Sequence, residues 1–391
     1  MIESTSSARG AIGVASQLSA PAASPIAVPH HTGAYVPEID GIRALAAALV
    51  FVVHYVSRAL AYTDQDLIRE LLNRLLGIGY LGVELFFVLS GYLVYGLVAT
   101  RSGSTMLFLK RRAIRILPVF WAVLAVYVAA GAFMPSIAKV ALPADLGLLA
   151  GNIVLLPGVY SVRAIVTVSW SLSFESHYYA FLGLCNRMRV SDWSRRNRIL
   201  GIIGLQISVL LLSEFRAQVI QFTFFIAGMV GWEIANAMQS RRLGAPIGAS
   251  KALALLVAGL AVRGVVLSND QKVVELYPVS PVLLSLLLVA APLILLLVCI
   301  RLGSRSTLAL LGSRLAIGLG VSSYSFYLLH GPALHVLEAL INAMGVRGPL
   351  SPLLILLGVV PAYAFAAAVG YGGYRLIERP AAARLGRNLG A

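Results

Sequence analysis

The stretch PVLLSLLLVAAPLILLLVCI at residues 281–300 carries no charged side chain over its twenty positions. At a helical rise of ~1.5 Å per residue it is ~30 Å long, the thickness of a bilayer's hydrocarbon core. Working outward from it, runs of the same kind recur along nearly the whole chain. Spans are expected near 40–61, 78–100, 112–134, 166–186, 198–213, 217–238, 251–268, 279–301, 315–342 and 350–376. The fold class read from this pattern is all-α: a polytopic integral membrane protein with about ten transmembrane helices. The fifth span is short, and 143–157 reads as an additional re-entrant or interfacial segment.

Composition agrees. Length alone would allow two or three soluble domains in 391 residues. With 59% hydrophobic residues, 12% charged residues and a mean hydropathy of +0.86, too few charges remain to cover a water-soluble surface. The formal charge of +15 invites a nucleic-acid reading, but the basic residues lie between apolar spans and form no single stripe. No nucleic-acid partner is expected; the lipid bilayer is. Cys185 and Cys299 offer neither metal spacing nor a disulfide framework, so no metal site is expected. Residues 1–34, rich in Ala, Ser, Pro and Gly, read as a disordered cytoplasmic tail and not a signal peptide. Residues 35–380 make the transmembrane domain, and 381–391 a cytoplasmic C-terminal tail.

Orientation follows from Lys and Arg. With the N-terminus inside, 21 of the 31 basic residues fall on the cytoplasmic side and eight outside, and Arg43 and Arg58 lie within the first span. Every even-numbered connection is the richer one, so both termini are expected in the cytoplasm, with the protein in the inner (plasma) membrane.

Ionisable side chains at membrane depth are costly and therefore functional candidates. Arg43 and His54 are eleven residues apart, about 16 Å along a helix axis and within about 20° of one face. Glu84, Glu175, His177 and His330 fall with His54 in the outer half of the membrane under this topology. An imidazole beside a carboxylate is a plausible general base; buried hydrogen bonds between helices are the structural alternative. At the inner end of the third span, Arg112 and Arg115 share a helical face and suit phosphate recognition, although a juxtamembrane anchor would also be basic.

At this point the residues resemble the membrane-bound acyltransferase 3 family, bacterial O-acyltransferases acting on carbohydrates and some macrolides. The matches, in the family's order, are EIDGIRALA at 38–46 running into His54, GVELFFVLSGYL at 82–93, RRAIRILP at 111–118, WSLSFE at 170–175, SYSFYLLH at 323–330 and ERP at 378–380. They cover roughly residues 36–380. The resemblance implies a ten-helix fold, an acyl-CoA donor taken from the cytoplasm (usually acetyl-CoA) and a hydroxyl acceptor, often on a sugar. Arg43 and His54 match the family's Arg-x10-His motif, and Arg112 and Arg115 its Arg-x-x-Arg. The family usually has Asp where this chain has Glu84. The esterase-like domain fused to some members is absent from the sequence.

The expectation is thus a membrane O-acetyltransferase. His54, Glu175 and Glu84 would be catalytic, with Arg43, Arg112 and Arg115 on the acyl-CoA and Tyr327 and His330 on the substrate. Acetyl-CoA would be a co-substrate, with no cofactor bound permanently. An exopolysaccharide or lipopolysaccharide is the first acceptor considered; a macrolide or other small metabolite is the second. A transporter would also gather ionisable groups near the bilayer middle, but no inverted repeat is evident.

Overall fold

The computed structural model describes residues 35–133, 145–268, 281–304, 309–345 and 348–387. The expected tail at 1–34 lies outside the described residues, as do the last four residues of the expected tail at 381–391.

Most of the described residues are helical. In chain order the helices are α1 (Pro37–Ala59), α2 (Asp66–Thr100), α3 (Thr105–Phe133), α4 (Leu146–Ile153), α5 (Ser169–Arg187), α6 (Arg195–Ser213), α7 (Phe222–Ser240) and α8 (Ala249–Ser268). Then come α9 (Pro281–Arg301), which contains a π-helical turn at Leu286–Ala290, α10 (Arg314–Val321) and α11 (Ser323–Ala343). The last, α12 (Pro352–Gly373), continues through a π-helical turn at Tyr374–Glu378 into the helix Arg379–Arg387.

Eight of these helices are long and apolar enough to cross a membrane: α1, α2, α3, α6, α7, α8, α9 and α12. The chain is an all-α polytopic membrane protein. α5 and α11 have spanning length at 19 and 21 residues, but they carry many of the polar groups described below. The expected ninth span at 315–342 is broken at Ser322 into α10 and α11. Gly320 causes the break to pack tightly, since a Cβ there would stand 2.0 Å from the Asp40 carbonyl oxygen of α1. Segment 143–157 contains α4, too short at eight residues to span. Its end is tied to mid-α3 by Trp121 Nε1, which donates to the Ile153 carbonyl at 3.0 Å. Asn152 is fully buried and staples α4 to the following loop, donating to the carbonyls of Leu148 (2.9 Å) and Arg163 (3.0 Å) and accepting from Ile165 N (2.9 Å).

Lipid tails are as apolar as Leu, so close backbone approach has to do much of the work that water exclusion does in soluble proteins. α2 is the hub, 35 residues long, against which α1, α7 and α8 pack. At its crossing with α7 a Cβ on Gly91 would lie 2.1 Å from the Phe225 oxygen, and one on Gly228 2.2 Å from the Val88 oxygen. Gly91→Ala is therefore expected to cost about 1–3 kcal/mol through forced separation of the helices. Thermal unfolding in detergent should show a lowered midpoint for Gly91→Ala and for Gly228→Ala. The double variant should fall short of additivity, because one contact is lost twice; an unchanged midpoint in either single variant refutes the crossing.

Candidate functional site

Between α1, α2, α3, α5, the α10–α11 break and the π turn of α12 lies a cavity of about 1220 Å³, its open mouth included. Its walls are apolar over much of their length, with Val83, Phe86, Phe87, Leu93, Ile116 and Leu172 facing inward. Tyr35, Asp40 and Arg43 enter from the start of α1, Ser90 from α2, Arg115 from α3, Ser171, Glu175 and Tyr179 from α5, Tyr324 and Tyr327 from α11, and Glu378 from the π turn.

The polar groups form a nearly charge-balanced set. Arg43 Nη1 donates to Asp40 Oδ1 at 3.2 Å, and the Tyr35 hydroxyl donates to Asp40 Oδ2 at 2.6 Å. Burial first, and then that bond to Asp40, pushes the Tyr35 phenol above its usual range, so it remains a donor at neutral pH. Arg115 stands within electrostatic reach of Glu175, Glu378, Asp40 and Arg43. Glu175 Oε1 accepts from Ser90 Oγ at 3.3 Å and from the Tyr179 hydroxyl. Glu378 Oε2 accepts from Ser325 Oγ at 2.5 Å. Arg112 lies one turn from Arg115, outside the cavity wall, with its guanidinium 5.9 Å from the Phe108 ring centroid and 5.8 Å from that of Tyr179. Its Nε and Nη1 are buried and have no hydrogen-bond partner among the described residues. Such donors are expensive to leave unmet and suit an incoming anion.

At the far end of the cavity the rings of Phe86 and Tyr327 meet edge to face, 6.0 Å apart. The Tyr327 hydroxyl is held 2.6 Å from Ser171 Oγ and 3.1 Å from the Val168 carbonyl oxygen. Behind Tyr327, at 6.1 Å, is the fully buried His330 ring, and 4.9 Å from it lies the ring of His54. Neither histidine is in the cavity wall, but Tyr327, 6.1 Å from the His330 ring, is. Beyond the pair, Arg58 donates to the His54 carbonyl at 2.9 Å and lies 3.5 Å from Glu338.

The family model of acyltransferase 3, an acyltransferase domain, matches residues 36–371. The chain belongs to this family. It is also similar to the exopolysaccharide production protein ExoZ of Rhizobium meliloti (strain 1021), with 28% identity over 317 residues, covering 78% of this chain and 89% of that protein. No solved structure matches it.

For a membrane acyltransferase the placement of the expected site residues is informative. Arg43, Arg115, Glu175 and Tyr327 converge on one cavity, and Arg112 adjoins it. His54 and His330 converge on each other. Glu84 joins neither group. It faces the opposite side of α2, where Ser285 Oγ donates to its Oε1 at 3.1 Å and Arg263 of α8 donates to Ser285 at 3.0 Å. The placement differs from the expected role because residues 83, 86, 87 and 90 share the cavity face, while 84 is turned away by the helical period. Glu84→Ala would leave the buried Ser285 hydroxyl without its carboxylate acceptor, at about 1–3 kcal/mol. The expected outcome is a drop in thermal midpoint, against which a wild-type midpoint would count. Glu175 hydrogen-bonds to Ser90 and Tyr179.

Asp40, Tyr179 and Glu378 were not singled out by sequence reasoning as site residues. Asp40 shares the face of Arg43 at three-residue spacing, a signal that was available. Glu378 was not readable that way: the π turn at 374–378 inserts an extra residue and shifts the helical face, which no periodicity in the sequence announces.

Proposed function

We propose that the protein is an O-acyltransferase of the plasma membrane that moves an acyl group, acetyl in the first instance, from acyl-CoA to a hydroxyl of a carbohydrate such as an exopolysaccharide. Both termini would lie in the cytoplasm, in keeping with the Lys and Arg distribution. The observation that carries the reading is a cavity with guanidinium groups at one end and an imidazole pair just past the other. The similarity to ExoZ, named as an exopolysaccharide production protein, supports the choice of acceptor.

In this reading Arg43 and Arg115, with Arg112 beside them, hold the donor's phosphates by charge-assisted bonds. The apolar wall from Phe87 to Leu172 takes the arm carrying the thioester, and the Phe86 and Tyr327 rings turn aside to admit it. His54 takes the acceptor hydroxyl's proton while the oxygen attacks the thioester carbonyl. The carbon–sulfur bond breaks, and the imidazolium returns the proton to the departing thiolate. Holding both substrates in one passage supplies orientation, and the base adds about 10²–10⁴-fold.

The test is transfer of label from [14C]acetyl-CoA to a gluco-oligosaccharide by the purified protein in proteoliposomes. Label in the oligosaccharide, dependent on protein and saturating in donor, is the expected result. Uptake of the sugar without labelling would favour a transporter and overturn the reading.

A further inference from the structure

The sequence suggests a carboxylate to steady the base, yet Glu175 and Glu84 both spend their hydrogen bonds elsewhere. Glu338, an acidic group at this end, is paired with Arg58 and lies 4.0 Å from His335. Beside the His54 ring, 4.9 Å away, stands a second imidazole, that of His330.

That imidazole has only one way to carry its proton when neutral. His330 Nδ1 lies 3.1 Å from the Phe326 carbonyl oxygen, one turn earlier in α11. A carbonyl only accepts, so Nδ1 bears the hydrogen and Nε2 bears the lone pair. Nε2 is buried and has no hydrogen-bond partner among the described residues. A buried acceptor left unmet is costly, and native structures seldom keep one without a function. The ring centroid separation of 4.9 Å is close to that of two imidazoles joined by an N–H···N bond, so a small rotation of the His54 ring would supply the missing donor.

We propose that His330 is the positioning residue of the base, its Nε2 accepting the N–H of His54 and so turning His54's other nitrogen toward the acceptor hydroxyl. This deepens the reading above and rests on it. The acceptor's proton passes to that nitrogen as its oxygen bonds to the thioester carbon, and the same proton leaves with the thiolate. Throughout, His330 Nε2 accepts the N–H on the second nitrogen of His54, and the charge stays on the His54 ring. The arrangement fixes the tautomer and orientation of His54, one of the two roles that a buried carboxylate plays in a Ser-His-Asp triad. His330, the more deeply buried ring, does not meet the acceptor; half-buried His54 does.

The proposal is tested with His330→Leu and His330→Gln in the proteoliposome assay with [14C]acetyl-CoA and a gluco-oligosaccharide. His330→Leu keeps an apolar side chain of fitting size but has no acceptor. It should lower kcat about 10²–10⁴-fold at unchanged donor KM. His330→Gln can present its amide oxygen near the Nε2 position and should recover a measurable part of that loss. Nitrogen-15 spectra of histidine-labelled wild type should show His330 protonated on Nδ1 and bare on Nε2, a readout that does not depend on how the variants fold. A kcat for His330→Leu within threefold of wild type, or a His330 protonated on Nε2, overturns the proposal. If His330→Leu stays active while His54→Ala is inert, this inference alone falls. If His54→Ala is also fully active, or the wild type labels no sugar, the functional reading falls with it.

Discussion

His54→Ala is expected to lower kcat for acyl transfer by about 10²–10⁴-fold, the range that a positioned general base supplies. The substitution removes a half-buried ring from the middle of α1 and replaces it with the best helix former, so the helix itself should persist. Losses in packing include the contact with His330 and are limited by the half-buried position of His54. The donor's phosphates would bind about 16 Å away along α1, near Arg43, and their affinity should change little. The measurement is initial rate against acetyl-CoA concentration, accompanied by a thermal midpoint and by CoA binding in detergent. Full turnover in a folded His54→Ala protein would remove the proposed base. A variant that loses CoA binding along with turnover would instead point to collapse of the passage between the two ends.

Arg115→Ala should act on the donor. Each charge-assisted hydrogen bond to a phosphate contributes about 1.5–3 kcal/mol, and 1.4 kcal/mol is tenfold, so KM for acetyl-CoA is expected to rise about 10–100-fold. Arg115→Lys should recover only part of this, since an ammonium cannot reproduce the two-pronged fork. A complication is built into the site: Arg115 also stands among Glu175, Glu378 and Asp40, and its removal leaves that acidic group with less compensation. Loss of stability and loss of donor recognition can be separated by truncating the donor. If Arg115 reads the 3′-phosphate, acetyl-dephospho-CoA should be used equally poorly by wild type and variant, as a double-mutant cycle requires. A KM effect that survives removal of that phosphate would assign Arg115 to the charge network alone. Arg112 provides the comparison, because among the described residues its buried Nε and Nη1 meet no hydrogen-bond partner and no carboxylate is bonded to it.

Some of the site was legible because helical geometry is local. The eleven-residue spacing of Arg43 and His54 places them on one stripe of α1, and that stripe does run from the cavity to the histidine pair. The three-residue spacing of Arg112 and Arg115 places both beside Tyr179. Partnerships between helices were less legible. Depth arithmetic put Glu84, Glu175, His54 and His330 in one layer, but depth says nothing about azimuth. Glu84 turns toward Ser285 and Arg263, whereas Glu175 turns into the cavity, and only the packing of α8 and α9 on one side of α2 and of α5 on the other separates them. The break at Ser322 and the π turn that delivers Glu378 were likewise invisible, since each depends on how closely a neighbouring backbone can approach.

The amino-acid order by itself determined that lipid is the solvent of this protein, that helices are its only spanning element, and which side chains are too costly at that depth to be idle. Those are properties of single segments, set by side-chain transfer energies and by hydrogen bonding within a helix. The rotation of each helix about its axis was decided by tertiary packing, through the glycine contacts that bring α2 against α1 and α7. That rotation assigned Arg115 and Glu175 to one cavity, Glu84 to another face, and His330 as the neighbour of His54. The physical reason is that apolar faces in lipid are nearly equivalent to one another, so only the fit between particular backbones selects which polar groups meet.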